Sequence, residues 1–230
     1  IFNSIYTAEH YDVRLEQKDW STADFDDSKW NGVGYRGAPS QNVVSQQVQP
    51  IRIVETIPAN TWKKINDSTY IFDFARNMSG VTRIKVSGEE GTVVKLKHGE
   101  RLYDNGRVNT SNIDVYHRPV DDSDPFQTDI LILSGKGEDE FMARFNYKGF
   151  RYVEVTSSKP IELQQNSLTA YFVHSDVPQK GEISTSNPLV NRLWWATNNA
   201  YLSNLMGYPT DCPQREKNGW TGDGHLAIET

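Results

Sequence analysis

Cysteine is nearly missing: Cys212 is the only one in 230 residues, so no disulfide can close within the chain. A catalytic role for that thiol would need a base, and no histidine neighbours it in sequence. Long basic runs are also absent. With 24 Lys and Arg against 30 Asp and Glu the net charge is −6. That balance argues against a nucleic-acid or anionic-membrane partner and suits a neutral ligand such as a sugar. No apolar run approaches a transmembrane length, so no membrane partner is expected, and no signal peptide is visible. His10, His117, His174 and His225 are too scattered to form a motif, and no cofactor is expected. The chain begins at Ile1 without Met, so an upstream segment is expected to precede it. What is present suffices for real cores: 37% hydrophobic and 11% aromatic residues, in a length that holds one large or two ordinary domains.

From Ile1 to about Ile57 the text is strand-like but irregular, and the Asp-, Ser- and Gly-rich stretch from Trp20 to Gly37 reads as turns between short strands. Trp20 and Trp30 read as core residues rather than a sugar platform. Between Pro58 and Ser175 the alternation becomes regular. Tyr70–Phe74, Thr82–Val86, Thr92–His98, Asp129–Leu133, Phe141–Phe145, Phe150–Thr156 and Leu168–His174 are short runs rich in β-branched and aromatic residues. Val94, Leu96 and His98 share one face, as do Phe141, Ala143 and Phe145. Gly88–Gly91, Asp104-Asn105-Gly106 and Gly135-Lys136-Gly137 supply turns. This pattern, without a helical period, predicts a mainly β fold built as an antiparallel sandwich. His98 and Glu100 would need a third and fourth ligand to hold a metal, and none is evident, so they read as a core or interface pair and no metal is expected.

The period changes at Ser186. Ser186 or Asn187 can cap a helix whose first residue is Pro188, where the missing N–H goes unnoticed. Leu189, Leu193, Ala196 or Thr197, and Ala200 follow at helical spacing, widened by Trp194, Tyr201 and Leu205, so a broad apolar face needs covering. The helix is expected to end near Met206-Gly207.

Then comes the stretch in which the chemistry concentrates, Tyr208-Pro-Thr-Asp-Cys-Pro-Gln-Arg-Glu-Lys-Asn-Gly-Trp-Thr-Gly-Asp-Gly224. Asp211, Glu216 and Asp223 lie within thirteen residues, among prolines and glycines that hold the backbone in loop conformations. Hydrolysis of a glycosidic bond needs one carboxylic acid to protonate the leaving oxygen and one carboxylate to activate water or attack the anomeric carbon. Glu216, between Asp211 and Asp223, is placed for its proton affinity to be raised by neighbouring negative charge, as a general acid requires. Asp223, at an expected helix start, favours the ionised form and suits sugar hydroxyls. Asp211 and Arg215 offer an acceptor and donors to the same ring. Trp220 suits stacking on a sugar face and packing about equally.

The string resembles the signature of the bacterial α-L-rhamnosidases, glycoside hydrolase family 78, in which Asp-Cys-Pro-Gln-Arg, one or two acidic residues and Gly-Trp-Thr-Gly-Asp follow one another. Many members have Arg-Asp-Glu where this chain has Arg215-Glu216, one residue shorter. Two further strings, Asp73-Phe-Ala-Arg-Asn-Met-Ser-Gly80 and Phe145-Asn-Tyr-Lys-Gly-Phe-Arg-Tyr-Val-Glu-Val155, resemble landmarks of the family's concanavalin-like domain. Thr7 to Arg14 resembles its Gly-Glu-x-Tyr-Asp-Ala-Arg string, with Ala8 in place of the Gly.

The resemblance implies three parts: residues 1–57, the end of an N-terminal β-sandwich module; 58–177, a concanavalin-like antiparallel sandwich; and 178–230, the start of a catalytic (α/α)₆ barrel. His225-Leu-Ala-Ile228 would begin the barrel's second helix, with roughly ten more absent by that analogy. It also implies that Glu216 is the general acid, that Asp211, Arg215, Trp220 and Asp223 line a pocket for terminal L-rhamnose, and that the anomeric centre inverts. The implied partner is an L-rhamnose-containing oligosaccharide or glycoside. The family's general base would lie downstream, and Glu229 falls outside its pattern. A homo-oligomer is compatible with the sequence, and a periplasmic or extracellular setting is favoured over a cytoplasmic one. The competing reading is a non-catalytic carbohydrate-binding or structural β-sandwich protein with a helical extension, which gives Glu216 no reason to stand between two aspartates.

Overall fold

The computed structural model describes residues 2–114 and 125–227, so His117, Ile228 and Glu229 lie outside the described residues. One ten-stranded sheet dominates. Its path runs through β1 (Phe2–Asn3), β2 (Glu9–Asp12), β9 (Thr128–Ile132), β6 (Val93–Gly99), β11 (Lys148–Ser157), β5 (Thr69–Ser87), β12 (Leu168–Ser175) and β3 (Ile51–Pro58). Off that path β4 (Thr61–Asn66) and β10 (Glu138–Met142) pair with opposite ends of β5, while β7 (Arg101–Leu102) and β8 (Val108–Asn109) form a separate ribbon.

The mainly β architecture expected from the alternation is thus present, as a sheet curled around β5. Two expected strands, Tyr70–Phe74 and Thr82–Val86, are one continuous 19-residue strand. The first part of β5 lies between β4 and β11, and its last part between β12 and β10. Where it passes from one set of partners to the other, Ala75 has φ 65° and the register with β11 shifts between Phe150 and Tyr152. Asp73 holds this bend, accepting from Ala75 N at 2.7 Å and from Arg151 Nε and Nη2 at 2.8 and 2.9 Å. Pairing is antiparallel throughout the sheet except where β2 runs parallel to β9.

Curling lets alternate residues of many strands meet in one core, among them Tyr70, Phe72, Ile84, Leu96, Leu131, Phe150 and Leu168. Each fully buried large apolar side chain contributes about 1.5–3 kcal/mol relative to exposure. Val94, Leu96 and His98 share the buried face as expected. Phe145 does not join Phe141 and Ala143: β10 ends at Met142, the chain turns, and Phe145 is 62% exposed. Trp20 and Trp30 are likewise not core residues. They are 56% and 49% exposed, in a segment from Glu16 to Pro50 that has no strand pairing to carry them inward.

Helix α1 spans Pro188–Ser203, capped by Asn187, whose side chain accepts from Leu189 N. It ends three residues before Met206. Asn199 donates to the Asn77 carbonyl at 2.9 Å and Leu202 packs on the core, whereas Leu189 and Leu193 of the expected apolar face are 62% and 59% exposed. A second helix, α2, spans Thr221–Ala227.

Candidate active site in the loop between the helices

The 17 residues between α1 and α2 fold back on themselves. Asn204 takes both the backbone N–H and the hydroxyl of Thr210 on its carbonyl, at 2.7 and 3.0 Å. Bridges pair Leu205 with Pro209 and Thr210 with Gly219, and Asp211 N donates to the Asn218 carbonyl at 3.1 Å. The ladder leaves Cys212 to Lys217 as its tip.

At the tip the buried thiol of Cys212 joins the carboxylate of Asp211 to the backbone of Glu216. Its Sγ donates to Asp211 Oδ2 at 3.2 Å and accepts from Glu216 N at 3.3 Å, while Asp211 Oδ1 accepts from Asn218 N at 3.3 Å. Both Asp211 and Glu216 are half-buried. Cys212 therefore holds the loop's shape, a role that a search for nucleophiles passes over.

The outer side of the tip rests on the sheet. Pro213 and Gln214 lie against Gly149 of β11 so closely that a Cβ there would stand 2.8 Å from Pro213 Cγ. Gln214 Nε2 donates to both oxygens of Glu100 at 3.3 Å. Burial pushes the Glu100 carboxyl above the usual range, opposed by the Arg215 charge and by Gln214. Arg215 itself is half-buried. Burial raises the Tyr147 phenol well above the ordinary value.

Lys217 forms the deepest contact. Its side chain is buried, and Nζ donates to the carbonyls of Ile5 and Tyr147, each at 2.6 Å, while standing 4.3 Å from the Tyr147 ring centre. Burial first and the Lys148 charge second bring its ammonium down to about 7, against the pull of Asp129 and Cys212. Beneath lies a second buried set: Lys148 pairs with Asp129 and Asn146, Asp129 also accepts from Glu9 N at 3.0 Å, and the Glu9 carboxylate accepts from Arg144 N and Phe145 N at 2.9 and 3.1 Å.

The other two candidates stand outside this set. Trp220 is 52% exposed, and Asp223 is exposed in the first turn of α2. His98 and Glu100 part company. His98 is wholly buried, with Nε2 at 2.9 Å from Thr82 Oγ1 and Nδ1 at 3.2 Å from the Gln127 carbonyl, whereas Glu100 serves the loop. Among the described residues no group of three His, Cys, Asp or Glu is placed to hold a metal ion. Tyr147 and Lys217 were the supports that the sequence did not single out. Only Glu100, in its His-x-Glu setting, carried a signal.

A curled β-domain followed by two helices, whose acid-rich connecting loop is seated on that domain, defines the class of chain. The family follows from comparison. Residues 1–55 match the N-terminal domain of α-L-rhamnosidases, 63–174 the concanavalin-like domain of the bacterial α-L-rhamnosidases and 178–230 their six-hairpin glycosidase domain. The chain belongs to the bacterial α-L-rhamnosidase family. An α-L-rhamnosidase of Streptomyces avermitilis is 34% identical over 98% of the chain and 21% of its own length. The structure of α-L-rhamnosidase from Dictyoglumus thermophilum matches with TM-score 0.88 and 37% identity, over 99% of this chain and 25% of that one. A Streptomyces avermitilis α-L-rhamnosidase complexed with L-rhamnose matches with TM-score 0.79 and 35% identity, over 93% of this chain and 20% of that one. The chain thus spans a fifth to a quarter of the length of these relatives.

Proposed function

We propose that this chain is the part of an α-L-rhamnosidase that carries the general acid, Glu216, for inverting removal of terminal α-L-rhamnose. The observation that carries the reading is the loop's own construction: Asp211 and Glu216 are tied together through Cys212 on a tip fixed to the β-domain at Gly149, Glu100 and Tyr147. Such a frame limits where the acid can stand relative to a bound sugar, which is what proton transfer in a transition state demands. Asp211 and Arg215 line the ring's polar edge, Trp220 meets its apolar face and Asp223 accepts from its hydroxyls. The rhamnose complex of the Streptomyces avermitilis relative supports the choice of sugar.

In the reaction Glu216 gives its proton to the departing glycosidic oxygen while a second carboxylate draws a proton from water attacking the opposite face. The two carboxyl groups must then stand about 6.5–9.5 Å apart to admit that water. The base is assigned to a residue outside 1–230, so this stretch alone is expected to leave rhamnosides intact. The test compares two substrates on the complete protein. Glu216→Gln is expected to cut turnover sharply on alkyl rhamnosides and far less on 4-nitrophenyl α-L-rhamnoside, whose leaving group needs little protonation. Equal losses on both would remove Glu216 from the acid role.

A further inference from the structure

We infer that Lys217 is a positioning residue for Glu216, anchoring the backbone turn on which the acid sits to both the N-terminal segment and the concanavalin-like domain. The inference rests on the assignment of Glu216 as the acid. Three observations converge on it.

First, Lys217 directly follows Glu216 and has φ 55°, in the left-handed region that is unfavourable for a residue with a Cβ. A non-glycine residue keeps such a conformation only where its surroundings impose it. Here the turn is what brings Asn218 back to Asp211, with its N–H on Asp211 Oδ1 and its carbonyl on Asp211 N.

Second, the side chain leaves the loop altogether. Its amine reaches the carbonyl of Ile5, in the connection between β1 and β2, and that of Tyr147, just before β11. The ring of Tyr147 covers it, so the ammonium's donors meet two carbonyls and a π face.

Third, the anchor is buried while Glu216 is only half so. A long polar side chain is withdrawn from water at a position where a solvated one would otherwise suffice. That cost is offset only through the contacts just described, and those contacts fix the peptide joining residues 216 and 217.

The experiment measures kcat/KM on an alkyl α-L-rhamnoside and on 4-nitrophenyl α-L-rhamnoside, for the complete protein and for Lys217→Met, Lys217→Gly and Glu216→Gln. The ratio of the two constants on one sample is independent of how much of it is folded, so a general loss of stability cannot mimic the effect. Lys217→Met is expected to lower the alkyl constant on the order of 100-fold and the nitrophenyl constant less than about 10-fold, a partial copy of Glu216→Gln. Lys217→Gly adopts the left-handed turn without strain but lacks the anchor, so it is expected to shift the ratio the same way. A parental ratio in either Lys217 variant, alongside a shifted ratio in Glu216→Gln, overturns the positioning role while leaving the acid assignment intact. An unshifted ratio in Glu216→Gln overturns the assignment, and the inference with it.

Discussion

Replacing Gly149 by alanine adds one methyl group where the loop tip meets the sheet. The new carbon would stand 2.8 Å from Pro213 Cγ, 3.3 Å from Pro213 Cβ and 3.2 Å from Gln214 Cβ. Ordinary contact begins near 3.4 Å, so the proline must retreat by roughly 0.6 Å. The strand is poorly placed to yield instead. Gly149 N donates to Gln127 Oε1 at 2.9 Å, its carbonyl accepts from Gln127 Nε2 at 3.1 Å, and β11 is paired on both edges. The displacement therefore falls on Cys212 to Lys217, with an overpacking cost of about 1–3 kcal/mol. A 1 Å misplacement costs on the order of 100-fold in rate, so a shift of this size is expected to lower kcat/KM on rhamnosides by about 10-fold in the complete protein. Gly106→Ala is the control. Gly106 has φ 81° and nothing within 4 Å, so alanine there strains the backbone by about 1–2 kcal/mol without touching the loop. Thermal unfolding should show both variants destabilised, and steady-state kinetics should show only Gly149→Ala impaired. Rates within twofold of the parent for Gly149→Ala would mean that the loop is not held by this contact.

Two further outcomes follow from buried charge. Asp129→Ala leaves Lys148 ionisable and buried without its partner and is expected to cost about 3–5 kcal/mol in urea unfolding, much of it recovered in the Asp129→Ala, Lys148→Met double variant; a single-variant loss under about 1 kcal/mol would show that the pair is not desolvated. Burial lowers His98 from 6.5 to about 4, so between those values the unfolded chain binds a proton that the folded one refuses, and stability present above pH 6.5 is lost as pH falls toward 4. The size of that contribution is on the order of 3 kcal/mol. The stability difference between the parent and His98→Gln should therefore shrink across that window, and a difference constant with pH would refute the burial of a neutral imidazole.

Strand positions were legible because a half-buried sheet writes its period into the sequence, as Val94, Leu96 and His98 do. Pairing was not. Nothing local distinguishes two strands joined by the Ala75–Gly80 stretch from one long bent strand, since the bend depends on Asp73 meeting Arg151, 78 residues away. Gly80 lies inside β5 rather than at a turn, and the Tyr171 carbonyl leaves no room for a Cβ there. Trp20 and Trp30 misled for a related reason. Bulky aromatics suit a core, but burial requires strands to carry them inward, and the polar segment around them forms none.

The candidate loop stands out in the sequence in a way that the sheet's pairing does not, for a physical reason. The residues proposed to bind a sugar and transfer a proton are polar and set among prolines and glycines, so Asp211, Arg215, Glu216 and Asp223 stand within thirteen residues of one another. Groups that hold such a loop in place are under no such constraint. Glu100 is 114 residues from its partner Gln214, and Ile5 is 212 residues from Lys217 and contributes only a backbone carbonyl, which any residue would offer. Lys217 illustrates the limit from within the string. A lysine in a polar loop is ordinarily solvated, and only the fold reveals that this one is buried at a left-handed turn against two distant carbonyls. Buried Lys217 and Lys148 with Asp129 and Glu9 form a polar layer beneath an acid-bearing loop. A layer of this kind tolerates few alternative arrangements, because a loop shifted by one residue would leave a lysine ammonium buried without acceptors. The restriction of alternatives is what gives the position of Glu216 its definition, and it is carried by residues whose types alone announce nothing.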